Sequence, residues 1–145
     1  MKKIICIIAV VLMIASVVYA QKAKKAGITA KDLAAMKGTY TGMLSWGDFE
    51  GGGTSACTLE ILNDAVPIKG KLTVSQVPQV IASAIGLSTT PEPMASDEGV
   101  LTTQGTIMFA GAAKNWLEVS KSGEKKVKVY YYFRGLKGDG TLTKK

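Results

Sequence analysis

Histidine is absent from the 145 residues, cysteine occurs twice, proline four times, and aromatic residues make up 7% of the chain. Without histidine there is no Ser-His-Asp or Cys-His nucleophile and no imidazole-held metal. Two cysteines cannot build the cross-linked framework of a small disulfide-rich domain. The length allows one ordinary domain and excludes a multidomain enzyme. Acidic residues are also in the minority, 11 against 18 Lys+Arg, so the chain carries +7.

What is present begins with a targeting pattern. Met1, Lys2 and Lys3 form a positive start, Ile4 to Val18 is apolar except for Ser16, and Val18, Tyr19 and Ala20 suit a cleavage site. We therefore expect residues 1–20 to be a signal peptide cut after Ala20, and the protein to be secreted or periplasmic. The alternative is an uncleaved anchor, for which Ile4–Ala20 is at the short limit of a spanning helix. Cleavage removes two lysines and no acid, leaving 125 residues with a net charge of +5 and no membrane span. Cys6 leaves with the signal. Cys57 then stands alone in an alternating apolar pattern, as a buried hydrophobe or a reactive thiol.

Residues 21–28 hold Lys22, Lys24 and Lys25 without periodic apolar positions and are expected to form a flexible basic leader. Residues 29–145 are expected to form one domain. Thr29 and Asp32 have capping-box spacing, Leu33 to Met36 follow, and Gly38 fits a helix end, so a two-turn helix is predicted. After Gly38 the period becomes two. Tyr40, Gly42, Leu44 and Trp46 alternate with polar or exposed-type neighbours, as do Cys57, Leu59 and Ile61, and then Val66, Ile68, Gly70, Leu72 and Val74.

Gln76 to Gly99 interrupts the meander. Pro78 suits a helix start, with Val77, Val80, Ile81, Ala84 and Ile85 as its apolar stripe ending at Gly86. Ser88 to Gly99 reads as loop, so the segment is expected to be a lid or a plug at one end of a barrel. Strand patterns resume at Val100–Thr103 and Thr106–Ala110, with Gln104 and Gly105 as a bulge within one strand, and at Asn115–Ser120. Lys126–Arg134 is the clearest strand of all. Gly138, Asp139 and Gly140 read as a turn before a short last strand, Thr141–Thr143. Seven or eight strands joined mainly by short turns predict an all-β antiparallel barrel with a short N-terminal helix and a helix-plus-loop insertion.

The helix followed by Gly38, Thr39 and Tyr40 resembles the opening of calycin-type (lipocalin-like) barrels, which often start the first strand with Gly-x-Trp. The resemblance implies a barrel able to hold an apolar ligand, and a basic residue packed over the opening aromatic; Arg134 is the candidate for that role against Tyr40. Tyr stands here in place of Trp, and no avidin-like ligand set can be mapped.

Catalytic candidates are few. Asp48 and Glu50 lie in a glycine-rich connection and Asp97 and Glu98 in the proline loop, where adjacent carboxylates are ordinarily solvated rather than opposed for acid–base work. Their spacing matches no calcium loop, and Gly51, Gly52 and Gly53 lack the Lys-Ser/Thr of a phosphate cradle. We expect no enzyme activity, no metal and no cofactor. Two binding sites are conceivable. One is the barrel interior, where Tyr40, Leu44, Trp46, Leu59, Ile61, Leu72, Val129, Tyr131 and Phe133 would line a pocket for a lipid-like ligand or simply fill the core. The other is an outer basic-aromatic ladder, Lys126, Lys128, Tyr130, Tyr132 and Arg134, extended by Lys69 and Lys71 if their strands are neighbours. Such a face could meet an anionic envelope polymer, a membrane surface or a partner protein, with nucleic acid disfavoured by export. Trp116 alternates opposite to Leu117 and Val119, which puts it either on a contact surface or over a barrel end.

Overall fold

The strands predicted by period-two patterning do pair, and they close. In the computed structural model, which describes residues 27–47, 52–75, 77–85, 94–110, 115–133 and 135–145, the order is α1 (Ala30–Met36), β1 (Gly38–Gly47), β2 (Thr54–Ile61), β3 (Ile68–Ser75), α2 (Gln79–Ile85), β4 (Met94–Leu101), β5 (Ile107–Ala110), β6 (Trp116–Lys121), β7 (Lys126–Phe133) and β8 (Leu136–Lys144). Each strand pairs antiparallel with the next, and β8 returns to β1, giving a closed eight-stranded barrel compatible with a calycin-like one. Closure leaves no sheet edge unpaired. Among the described residues no helix is long and apolar enough to cross a membrane. The expected signal peptide and most of the basic leader lie outside the described residues.

Alternation decides the two faces. Inward positions are the more buried ones, as in β3, where Ile68, Gly70, Leu72 and Val74 are buried while Lys69, Lys71 and Ser75 are exposed. Ile28, expected in the leader, belongs instead to this core at 3% exposure; its N–H donates to the Gly105 carbonyl at 2.6 Å. An isoleucine next to a barrel end gains more by burial than by remaining in a solvated tail.

α1 closes one end. The Asp32 carboxylate accepts the Thr29 N–H at 2.9 Å and the Thr29 hydroxyl at 2.6 Å, while Leu33 and Met36 are buried. Lys121 Nζ reaches Asp32 at 2.7 Å and ties the helix to β6. These hydrogen bonds, Lys121 first and then Thr29, hold the Asp32 carboxyl far below the usual carboxylate range. At the opposite end Ala82 of α2 is buried, and Val77 packs against the core. Whether the whole 76–99 insertion acts as lid or plug involves residues outside those described.

Three sequence expectations are corrected. The proline loop ends earlier than its composition suggests: residues 94–101 form β4, with Met94 opposite Leu72 and Gly99 opposite Ile68. A strand poor in β-formers is held here because β3 and β5 each offer an edge to pair. Val100–Thr103 and Thr106–Ala110 are not one bulged strand but two, β4 and β5, joined by a turn in which Gly105 has φ +73° and its N–H donates to the Thr102 carbonyl at 3.0 Å. Finally, Gly138, Asp139 and Gly140 are no turn. They lie inside β8, where a Cβ on Gly138 would meet the Trp46 ring at 3.3 Å and one on Gly140 would collide with the Met43 carbonyl. The glycines allow β8 to pass close to β1 and under Trp46.

Candidate functional site

The nine residues proposed for an interior pocket do share one face. Tyr40, Leu44 and Trp46 come from β1, Leu59 and Ile61 from β2, Leu72 from β3, and Val129 and Tyr131 from β7, all buried, with half-buried Phe133 packed against them. They are packed against one another and against residues that the sequence reading left out. Phe109 of β5, 1% exposed, lies over Gly70 and Gly99: a Cβ on either would stand 2.7 or 2.5 Å from its ring. A Cβ on Gly42 would meet the Thr141 carbonyl oxygen at 2.7 Å and the Leu142 side chain at 2.8 Å, where β8 passes close to β1. The glycines at 42 and 70 thus make room for the barrel's own side chains. Phe109 could have been suspected from the alternation of Ile107 and Phe109 alone, but nothing in the sequence says which glycines it faces.

Towards the α2 end the interior is aromatic. Trp46 meets Tyr131 edge-on at 6.2 Å, and Tyr131 stacks on Phe133 at 5.7 Å. The indole Nε1–H of Trp46 donates to the Ser55 hydroxyl at 2.9 Å, satisfying a buried donor. Burial pushes the Tyr131 phenol up to about 12 and the Cys57 thiol up to about 11, so both are neutral at ordinary pH. A thiol that stays protonated is a poor nucleophile, which places Cys57 with the packing residues. At the α1 end Tyr40 donates its hydroxyl to the Met36 carbonyl at 2.7 Å. The cation over its ring is Lys144, 5.9 Å from the ring centroid and donating to the Ala35 carbonyl at 2.7 Å. Arg134, expected there, lies outside the described residues; Lys144 ends β8 beside Tyr40 in the pairing register.

The outer face is differently built. Lys126, Lys128, Tyr130 and Tyr132 do alternate outward along β7, as expected. Lys69 and Lys71 do not extend this ladder, because β3 pairs with β2 and β4 and never meets β7. The neighbour that does extend it is β6. Trp116 faces Tyr132, Glu118 faces Tyr130, and Ser120 faces Lys128. Half-buried Trp116 stacks on Tyr130 (centroids 5.4 Å apart, planes at 22°) and on Tyr132 (5.7 Å, 16°). Trp116, Glu118, Ser120, Lys128 and Tyr130 line an open groove of about 440 Å³. Lys128 also approaches Asp139 of β8 at 3.9 Å, with both side chains half exposed. The sequence reading found the aromatic ladder but missed Glu118, Ser120 and Asp139, whose part depends on strand order. Of the carboxylates weighed for catalysis, Asp48 and Glu50 lie outside the described residues, and Glu98 stands exposed on β4.

A smaller cleft of about 90 Å³ lies between α1 and the β6–β7 hairpin, lined among others by Asp32, Tyr40, Lys121 and Lys126. Two of its charged groups, Lys121 and Asp32, are already engaged in the pair that anchors the helix. Comparison with known proteins finds no family model, no curated protein and no solved structure that matches the chain.

Proposed function

We propose that the chain is an exported, non-catalytic binding protein whose site is the outer face of β6 and β7, where it meets a component of the cell envelope. The observation that carries this reading is Trp116 stacked on both Tyr130 and Tyr132 beside a groove with polar side chains along its length. A large aromatic left partly in solvent, with a polar tip and a polar surround, is the kind of residue that anchors contacts. The groove volume falls within the ordinary range for ligand sites, roughly 300–1,000 Å³. Export is supported by the residue pattern of Met1–Ala20. A calycin-like origin is supported by the helix before β1 and by Lys144 set over Tyr40. An apolar ligand inside the barrel would instead need space that Phe109, Trp46 and Leu142 occupy.

Co-sedimentation of the full chain with purified envelope material separates the two sites. Trp116→Ala is expected to abolish co-sedimentation and Tyr131→Ala to preserve it in whatever fraction remains folded. A small apolar molecule that copurifies, is released on unfolding and is lost in Tyr131→Ala would return the function to the interior and overturn the proposal.

A further inference from the structure

The chemistry of the outer groove narrows its ligand, on the reading that this face is the binding site. Two residue pairs beyond Trp116–Tyr132, the strip ends at Ser120–Lys128, which makes it about 13 Å long at the rise of a strand. Aromatic rings stand at one end and hydrogen-bonding groups run along the rest. Glu118 accepts, Lys128 donates, and Ser120 does both.

Charge decides among the ligands that such a strip could take. Among the described residues the groove is lined by one carboxylate, Glu118, and one ammonium, Lys128, and Lys128 has Asp139 of β8 at 3.9 Å. The chain is basic as a whole, yet the described lining of this strip is balanced; Lys137 of β8 lies on the far side of Tyr132 from Trp116 and does not line the groove. A polyanion is held by cations that neutralise its charges, and here Glu118 would repel it while Asp139 competes for Lys128. Lys126, the next outward cation on β7, faces the cleft beneath α1 and not the groove. A lipid chain fares no better, because it would cover Glu118 and Lys128 without offering either a partner. A folded protein partner usually covers about 800 Å² on each side, more than a strip this narrow presents.

We infer that the groove binds a neutral glycan chain. The apolar C–H face of a sugar ring lies against Trp116 and Tyr130, while its hydroxyls exchange hydrogen bonds with Glu118, Ser120 and Lys128. Hydroxyls both donate and accept, so one ligand satisfies a carboxylate and an ammonium together. The length of the strip suits an oligosaccharide rather than a single ring.

The test is titration of the full chain with neutral hexasaccharides of glucose, galactose, mannose and N-acetylglucosamine, with polygalacturonate and oligo(dT) as anionic probes, followed by calorimetry and tryptophan fluorescence. At least one neutral hexasaccharide is expected to bind, with an affinity changing less than twofold between 50 and 500 mM salt. Trp116→Ala should weaken it at least tenfold and Glu118→Gln several-fold, while Trp116→Phe retains most of it and guards against a folding artefact. Binding of an anionic probe instead, lost steeply with salt and lost in Trp116→Ala, would overturn the neutral glycan and leave the surface site standing. If no probe binds, or if Trp116→Ala changes nothing, both the glycan and the surface site fail.

Discussion

If Phe109 fills the barrel, Gly70→Ala should change its effect on stability according to whether Phe109 is there. The added methyl in Gly70→Ala would stand 2.7 Å from Cζ and 2.8 Å from Cε1 of Phe109, and 3.4 Å from the nearest backbone atom, the Glu60 carbonyl oxygen. Gly70 has no positive φ, so the backbone accepts alanine without strain. In the native barrel the variant therefore overpacks one well-defined contact, at a cost of about 1–3 kcal/mol. Phe109→Ala alone removes a ring that is 1% exposed and should cost about 3–5 kcal/mol. In that background the new methyl enters vacated space, and it also reduces the freedom of the unfolded chain by roughly 0.4–1 kcal/mol. Gly70→Ala should then be neutral or stabilising, which gives a coupling of about 1–3 kcal/mol. Urea unfolding measures it from the shift in midpoint at constant slope. Should Phe109→Ala fall below the limit of folding, Phe109→Leu opens less space and keeps the sign. Additivity of the two changes to within about 0.5 kcal/mol would refute the claim that Phe109 occupies the space at Gly70.

Three further outcomes follow from the buried and paired groups. Tyr40→Phe removes the hydroxyl that Met36 accepts at 2.7 Å, and it should lower stability by roughly 1–3 kcal/mol in the same urea assay, with Lys144→Met giving a smaller loss. Asp32 has a folded pKa below its unfolded value, so its contribution is present above about pH 4 and is lost as pH falls further; acid melts of the native chain should drop over that range, and Asp32→Asn should flatten the drop. Cys57 runs the other way. Its thiol is held up to about 11 from 9.0, so the folded state keeps a proton that the unfolded state releases, and stability should decline as pH rises from 9 to 11. In a Cys6→Ser chain a thiol reagent at pH 8 should label Cys57 only on the timescale of unfolding, and rapid labelling would show that Cys57 is exposed.

The closed barrel was legible because its signal is redundant. Along β3 and β7 each buried residue is flanked by a more exposed one, and a slip of one residue would turn Leu72 or Val129 into solvent. What could not be read was anything that depends on which strand lies beside which. Lys69 and Lys71 look equivalent to Lys126 and Lys128 in sequence, and only strand order separates them. Glu118 looks like an ordinary outward acid until β6 sets it opposite Tyr130. Gly138 and Gly140 misled for a related reason: local composition signals a turn, whereas their use is the close passage of β8 beside a strand distant in sequence. The interior residues were chosen correctly as a face, but whether a face encloses a ligand or its own side chains turns on Phe109, a residue that the pattern does not mark as special.

The pairing of β1 with β8 also fixes an order of events. Gly42 lies opposite Leu142, a hundred positions later, and the Lys145 N–H donates to the Thr39 carbonyl at 3.0 Å. Seven of the eight strand pairs join neighbours in sequence and can form as the chain emerges from a ribosome or a translocation pore. The eighth must wait for β8, and the loop-closure entropy of the barrel falls on that one step. Until then the outer edges of β1 and of the last strand formed are open to any other extended chain. However the chain is delivered, its neighbouring hairpins can form early, but the barrel stays open and β1 keeps an unprotected edge until β8 is available to pair with it.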